Sequence, residues 1–227
     1  MIKMKTMKTM KTMKTMKTMK TMKTIQAIAI AVLCIGFTTS CDSDDDVTAP
    51  PAAALESKTI SNLAAPQTGG QGQGAVGGPF TKFDFTTGLE TTSETDWDIA
   101  FRGTTIAING GVTTGTADEP VRNGNAGSAI LIGTFASVTE ADGLTFDQDS
   151  STSFAIPTGS DNGWYNYNFM TNIVSPIPGI VIVIRTRDGR YAKVEILSYY
   201  ENQDTTASGR FYTFNYVYNP NEGDTTF

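Results

Sequence analysis

The sequence predicts an all-β domain, antiparallel and two-layered or barrel-like, with little helix. Three observations carry this expectation. Short segments rich in β-branched and aromatic residues are separated by clusters of Gly, Asn, Asp and Ser. No stretch repeats its apolar residues at the helical period, and Ser137 to Asp142 allows one helical turn at most. Finally, Ile180 to Ile196 reads as a β-hairpin turning at Asp188-Gly189.

Taken in order, the chain opens with Met-Lys-Thr repeated seven times between Met4 and Thr24, a low-complexity run with no apolar face to bury. Met22 would also serve as a start, with Lys23 as a short charged region. A thirteen-residue apolar run follows, Ile25 to Phe37, interrupted only by Gln26 and Gly36. It is too short to span a bilayer as a helix and has the layout of a secretory signal. Thr38, Thr39 and Ser40 lead into Cys41, the only cysteine outside that segment. Cys41 resembles the lipidated first residue of a mature bacterial lipoprotein, although Thr38 stands where such signals usually carry leucine. The organisation expected is residues 1–40 as signal peptide with its repeat, 41–54 as an acidic and Pro/Ala-rich tether, and 55–227 as the β domain. Asp42, Asp44, Asp45 and Asp46 lack the glycine and spaced glutamate of a calcium loop. Acidic residues directly after a lipidated cysteine resemble a surface-export signal of Bacteroidetes lipoproteins. The expected location is therefore the outer membrane, lipid-anchored and exposed at the cell surface.

Removing residues 1–40 takes away eight lysines and no acids, leaving nine basic and twenty-three acidic side chains, a net of −14 over 187 residues. Nucleic acid is not an expected partner, because phosphate binding needs clustered Lys and Arg. The chain has no histidine, and Cys34 falls in the signal. Ser-His-Asp and Cys-His catalysis are excluded, as is zinc held by His or Cys. A carboxylate pair for glycoside hydrolysis would need no histidine, yet no such pair stands out, and no enzyme activity is expected.

Gly69 to Gly78 reads as a long turn, followed by a strand-like stretch with Phe80, Phe83 and Phe85. Further strands are expected at Trp97 to Phe101, Thr104 to Asn109, Ala129 to Phe135, Ile180 to Arg187, Arg190 to Tyr200 and Arg210 to Tyr218. In the hairpin, Asp-Gly suits a tight two-residue turn. Ala192, Val194 and Ile196 share a buried face, and Lys193 and Glu195 a wetter one. Ile180 to Ile184 is apolar on both faces, as expected of an interior strand beneath a second layer. Tyr212, Phe214, Tyr216 and Tyr218 share one face, either as a cross-strand ladder with hydroxyls reaching solvent or as a stacking platform for a flat ligand or sugar. Trp97 is expected to anchor the core with Asp96 and Asp98 facing outward. Arg102 is expected in an ion pair or against a ligand carboxylate. Pro176 and Pro178 should stiffen the entry into the interior strand.

Three stretches resemble the HmuY-like haem-binding lipoproteins of Bacteroidetes. They are Asp96-Trp97-Asp98-Ile99-Ala100-Phe101-Arg102-Gly103-Thr104-Thr105-Ile106, Gly163-Trp164-Tyr165-Asn166-Tyr167-Asn168, and Pro176 through Tyr200. The third, with Asp188-Gly189-Arg190-Tyr191-Ala192-Lys193-Val194-Glu195-Ile196, is the most specific. The resemblance implies a mostly β surface lipoprotein that captures haem for iron acquisition, in some members passing it to a TonB-dependent outer-membrane receptor. Members grip the iron with histidines or methionines; here Met170 is the only methionine after the signal. Relatives often carry a histidine after the threonine matching Thr171, and this chain has Asn172. Met170, beside Phe169 and near Trp164, Tyr165 and Tyr167, is the candidate axial ligand of a porphyrin slot, with Tyr165 or Tyr167 as a tyrosinate alternative. Met170 filling a core gap is the structural alternative. On the same scaffold, a non-haem module for glycan, peptide or protein is the functional alternative.

Overall fold

The computed structural model describes residues 51–70 and 72–227, so Cys41, the signal and the first part of the tether lie outside the described residues. Near the start of the described residues, the Ala53 backbone N–H and C=O both bond the Asn221 side chain, at 2.8 Å each. From there the strands run β1 Glu56–Ala64, β2 Thr81–Asp84, β3 Leu89–Thr91, β4 Ile99–Arg102, β5 Thr105–Ile108, β6 Gly127–Ile132, β7 Tyr165–Asn168, β8 Ile173–Pro176, β9 Ile180–Arg185, β10 Tyr191–Tyr200 and β11 Gly209–Asn219. Two short 3₁₀ turns, Phe135–Ser137 and Glu201–Gln203, are the helical elements among the described residues. The expected turn at Ser137 to Asp142 therefore sits slightly earlier in the chain.

The strands form a five-stranded sheet in the order β1-β11-β10-β9-β6, a four-stranded sheet in the order β3-β2-β4-β5, and the separate hairpin β7-β8. All strand pairs are antiparallel. The inner faces of the two larger sheets supply one core, with Phe83 and Phe101 of the smaller sheet against Phe214 of β11, ring centroids 5.5 and 5.6 Å apart. Aromatic pairs at such separations contribute about 0.5–1.5 kcal/mol each beyond their burial. Tyr212, Phe214, Tyr216 and Tyr218 are all sealed inside this core. They form the aromatic ladder, but their hydroxyls do not reach solvent and they offer no platform. The Tyr212 hydroxyl instead donates to Gly103 O at 2.9 Å.

β9 is interior and apolar on both faces, as its composition requires. Ile182 and Ile184 enter the main core, while Val181 and Val183 pack under Val138, Ala141, Phe146 and Phe227. That second cover also buries Lys193 to 5% exposure, so its face is not the wet one. The Lys193 ammonium donates to the carbonyls of Phe135 and Val138 and lies 4.6 Å from the Phe135 ring, and burial lowers its pKa. The hairpin turn is also wider than two residues. Arg185 pairs with Tyr191, leaving Thr186 to Arg190 as the loop.

Arg187 explains that widening. Its backbone N–H bonds Asp98 Oδ1 at 2.9 Å, and its guanidinium lies 2.7 Å from Asp84 and 3.2 Å from Asp98. Asp98 faces inward, contrary to expectation, and also accepts the Phe85 N–H at 2.9 Å. Burial pushes its carboxyl up to about 6, against the pull of the two N–H groups and of Arg187. Asp96 is exposed and Trp97 is a buried anchor, as expected. Arg102 is buried without an ion pair. It stacks over Phe80, 4.2 Å from the ring centroid, and donates to Gly78 O, Ala117 O and Thr116 Oγ1.

Candidate functional site

The concave surface that gathers the expected site lies where the β7-β8 hairpin leans on the end of the larger sheet. Trp164, just before β7, is buried and donates its indole N–H to Thr104 O at 3.0 Å. Its ring contacts Tyr165, Tyr199 and Tyr212 at centroid distances of 5.0, 6.0 and 5.1 Å. The hairpin is tied to β10 by the Val174 N–H, which donates to the Tyr200 hydroxyl at 2.9 Å. Pro176 does not lead into β9. It closes β8 opposite Tyr165, a strand end where its missing N–H costs nothing.

Between these elements is a cleft of about 780 Å³, within the size range of small-molecule sites. Tyr165 and Tyr167 line one wall, Tyr199 and Tyr200 the other, and Gln67, Gln73 and Arg210 the rim. Ser160, Asn172 and Ser208 add hydrogen-bonding groups. The Tyr167 hydroxyl donates to Asn172 Oδ1 at 2.8 Å, which orients that phenol across the hairpin. Asn172 holds a positive φ of 57°, a conformation asparagine tolerates well, at the turn back into β8. Burial pushes the Tyr199 phenol up to about 12, with Arg210 opposing the rise.

Of the four residues expected at the site, Tyr165 and Tyr167 line the cleft and Trp164 backs it. Met170 lies at the hairpin tip, 77% exposed, next to Phe169 at 76%, and is not among the lining residues. The core-filling reading of Met170 is therefore corrected: the tip between Asn168 and Ile173 has no core to fill. The sequence reading did not single out Tyr199, Tyr200, Gln67 or Arg210. Tyr199-Tyr200 stood at the end of a recognised stretch, and their consecutive placement at a strand end was the available signal. Among the described residues no group of three or more His, Cys, Asp or Glu is placed to hold a metal ion.

Fold and site define an antiparallel β protein with a tyrosine-walled cleft at one end of its larger sheet. The chain belongs to the HmuY protein family, whose model matches residues 78–216. Among solved structures, the apo HmuY analog of Tannerella forsythia is similar at 13% identity and a TM-score of 0.48, covering 76% of this chain and all of that one. A Bacteroides vulgatus protein described as HmuY-like is similar at 16% identity and a TM-score of 0.43, covering 74% of this chain and 93% of that one. No curated protein matches by sequence.

Proposed function

We propose that this protein is a lipid-anchored surface protein that binds haem or a related tetrapyrrole in the tyrosine cleft, without catalysis, and serves iron acquisition. The observation that carries the reading is the convergence of Tyr165, Tyr167, Tyr199 and Tyr200 on one cleft beside the hairpin that presents Met170. Aromatic walls bury the faces of a planar macrocycle, and a tyrosinate or a thioether is an established axial ligand for its iron. Tyr165 and Tyr167, which line the cleft, would hold such a group, whereas Met170 at the exposed hairpin tip lies outside the lining. The description of the Bacteroides vulgatus relative as heme-binding supports the same ligand class. In this reading Cys41 carries the membrane anchor, and a TonB-dependent outer-membrane receptor is the partner that takes the cargo.

Titration of the purified protein with haemin, oxidised and reduced, tests the proposal through the Soret band. A saturable shift is expected; its absence in both states removes the haem reading. Met170→Ala should alter the reduced spectrum and Tyr167→Phe the oxidised one, and an unchanged spectrum clears the residue concerned. The second reading, a non-haem module for glycan, peptide or protein, is favoured by the amide-rich rim of Gln67, Gln73 and Asn172 and by the lack of histidine. Saturable binding of an oligosaccharide in place of haemin would establish it.

A further inference from the structure

Among the described residues that line the cleft, Arg210 is the only charged one, in a chain whose residues 41–227 carry a net charge of −14. Its placement is the work of an irregularity in β11. Tyr200 pairs with Gly209 and Ser198 with Thr213, so four steps along β11 are matched by two along β10. The surplus residues bulge at Arg210, which takes a φ of +71°, a left-handed conformation that long side chains rarely adopt. Bulges of this kind re-aim a side chain beside a functional site, and strain of this kind persists only where the surrounding structure enforces it. Here the backbone is held by Ala65 N–H, which donates to Arg210 O at 2.8 Å, one step beyond the regular pair of Ala64 with Phe211. The guanidinium donates from Nη1 to Gln67 O at 2.7 Å and lies against the Tyr199 phenol, whose upward shift it opposes. Among the described residues no carboxylate pairs with it, although the chain is rich in acids. The remaining N–H donors form the planar fork that matches a carboxylate in two parallel hydrogen bonds.

We infer that Arg210 is the anion subsite of the cleft, and that the ligand seated there carries a carboxylate at its edge. This inference rests on the cleft being the binding site, and it adds a requirement that stacking alone does not impose. Two sources share that chemistry: the propionates of a tetrapyrrole and the carboxylates of an acidic sugar. Binding is measured with protoporphyrin IX against its dimethyl ester, and with tetragalacturonate against its methyl ester, using quenching of the intrinsic tryptophan fluorescence and calorimetry. The acid is expected to bind about tenfold more tightly than the ester in at least one pair. That preference should fall to within about twofold in Arg210→Gly and persist in Arg210→Lys. Glycine accepts the bulge φ without strain, so Arg210→Gly removes the charge while leaving the fold intact. A preference for tetragalacturonate with no porphyrin binding would sink the tetrapyrrole reading and leave the subsite standing. Porphyrin binding with no acid preference, or with a preference that Arg210→Gly preserves, overturns the subsite alone. Failure of both acids to bind overturns both.

Discussion

Replacing Asp98 by asparagine should change how stability depends on pH, and the sign follows from its surroundings. The carboxyl titrates at about 6 in the fold against 3.8 when unperturbed, with burial as the dominant cause. Between those values the folded chain holds a proton that the unfolded chain has released, so stability falls as pH rises. The contribution is fully present below about pH 3.8 and is lost as pH climbs through about 6. At about 1.4 kcal/mol per pH unit, that displacement amounts to about 3 kcal/mol across the interval. The asparagine side chain of Asp98→Asn cannot titrate, yet it keeps an oxygen toward Phe85 N–H or Arg187 N–H. The assay is urea unfolding of the wild type and of Asp98→Asn at several values between pH 4 and 7.5, compared as a difference so that the other carboxylates cancel. Wild type should lose about 2–3 kcal/mol relative to the variant over that range. A difference that stays flat, or that grows in favour of wild type as pH rises, refutes the reasoning and means that Arg187 and the two N–H groups outweigh burial.

Three further outcomes follow from buried contacts. Arg122→Ala strands the carboxylates of Asp149 and Glu119, which lie 2.8 and 3.0 Å from its Nη2, and should cost about 3–5 kcal/mol in urea unfolding. Trp97→Ala empties the site of a fully buried indole and should cost about 3–5 kcal/mol by the same measurement. Tyr212→Phe removes only the hydroxyl that reaches Gly103 O, and should cost about 1–2 kcal/mol with the slope against urea unchanged.

The parts of the fold legible in the sequence are those whose periodicity the chain keeps intact. β9 and β10 announce themselves because an unbroken β-branched run meets an alternating one across Asp188-Gly189. β1 was hidden for the opposite reason. Its apolar residues Ile60 and Leu63 stand three apart, out of step with a strand, because Asn62 takes a φ of 58° and shifts the register between them. β3 has only three residues and β7 alternates tyrosine with asparagine, so neither carries a hydrophobic signal. Asp98 and Lys193 are misplaced by sequence because charge alone argues for solvent, and Arg102 because an acid-rich chain argues for an ion pair. What brings them inside are partners distant in sequence: Arg187 for Asp98, the 116–117 backbone and side chains for Arg102, and the carbonyls of Phe135 and Val138 for Lys193. At the site, the local motif from Trp164 to Asn168 was readable as aromatic. The opposite wall, Tyr199 and Tyr200, comes from β10 and joins it only through the tertiary fold.

The pairing of β1 with β11 also has a mechanical consequence. β1 enters beside Tyr218 and leaves beside Phe211, next to the cleft, so its nine residues set Glu56 about 30 Å from the cleft end of the strand. A pull applied upstream of Ala53 acts along the strand, loading its rungs together in shear instead of unzipping them one at a time. Tension shared along the whole strand leaves no single rung to yield by itself, those beside the tyrosine walls included.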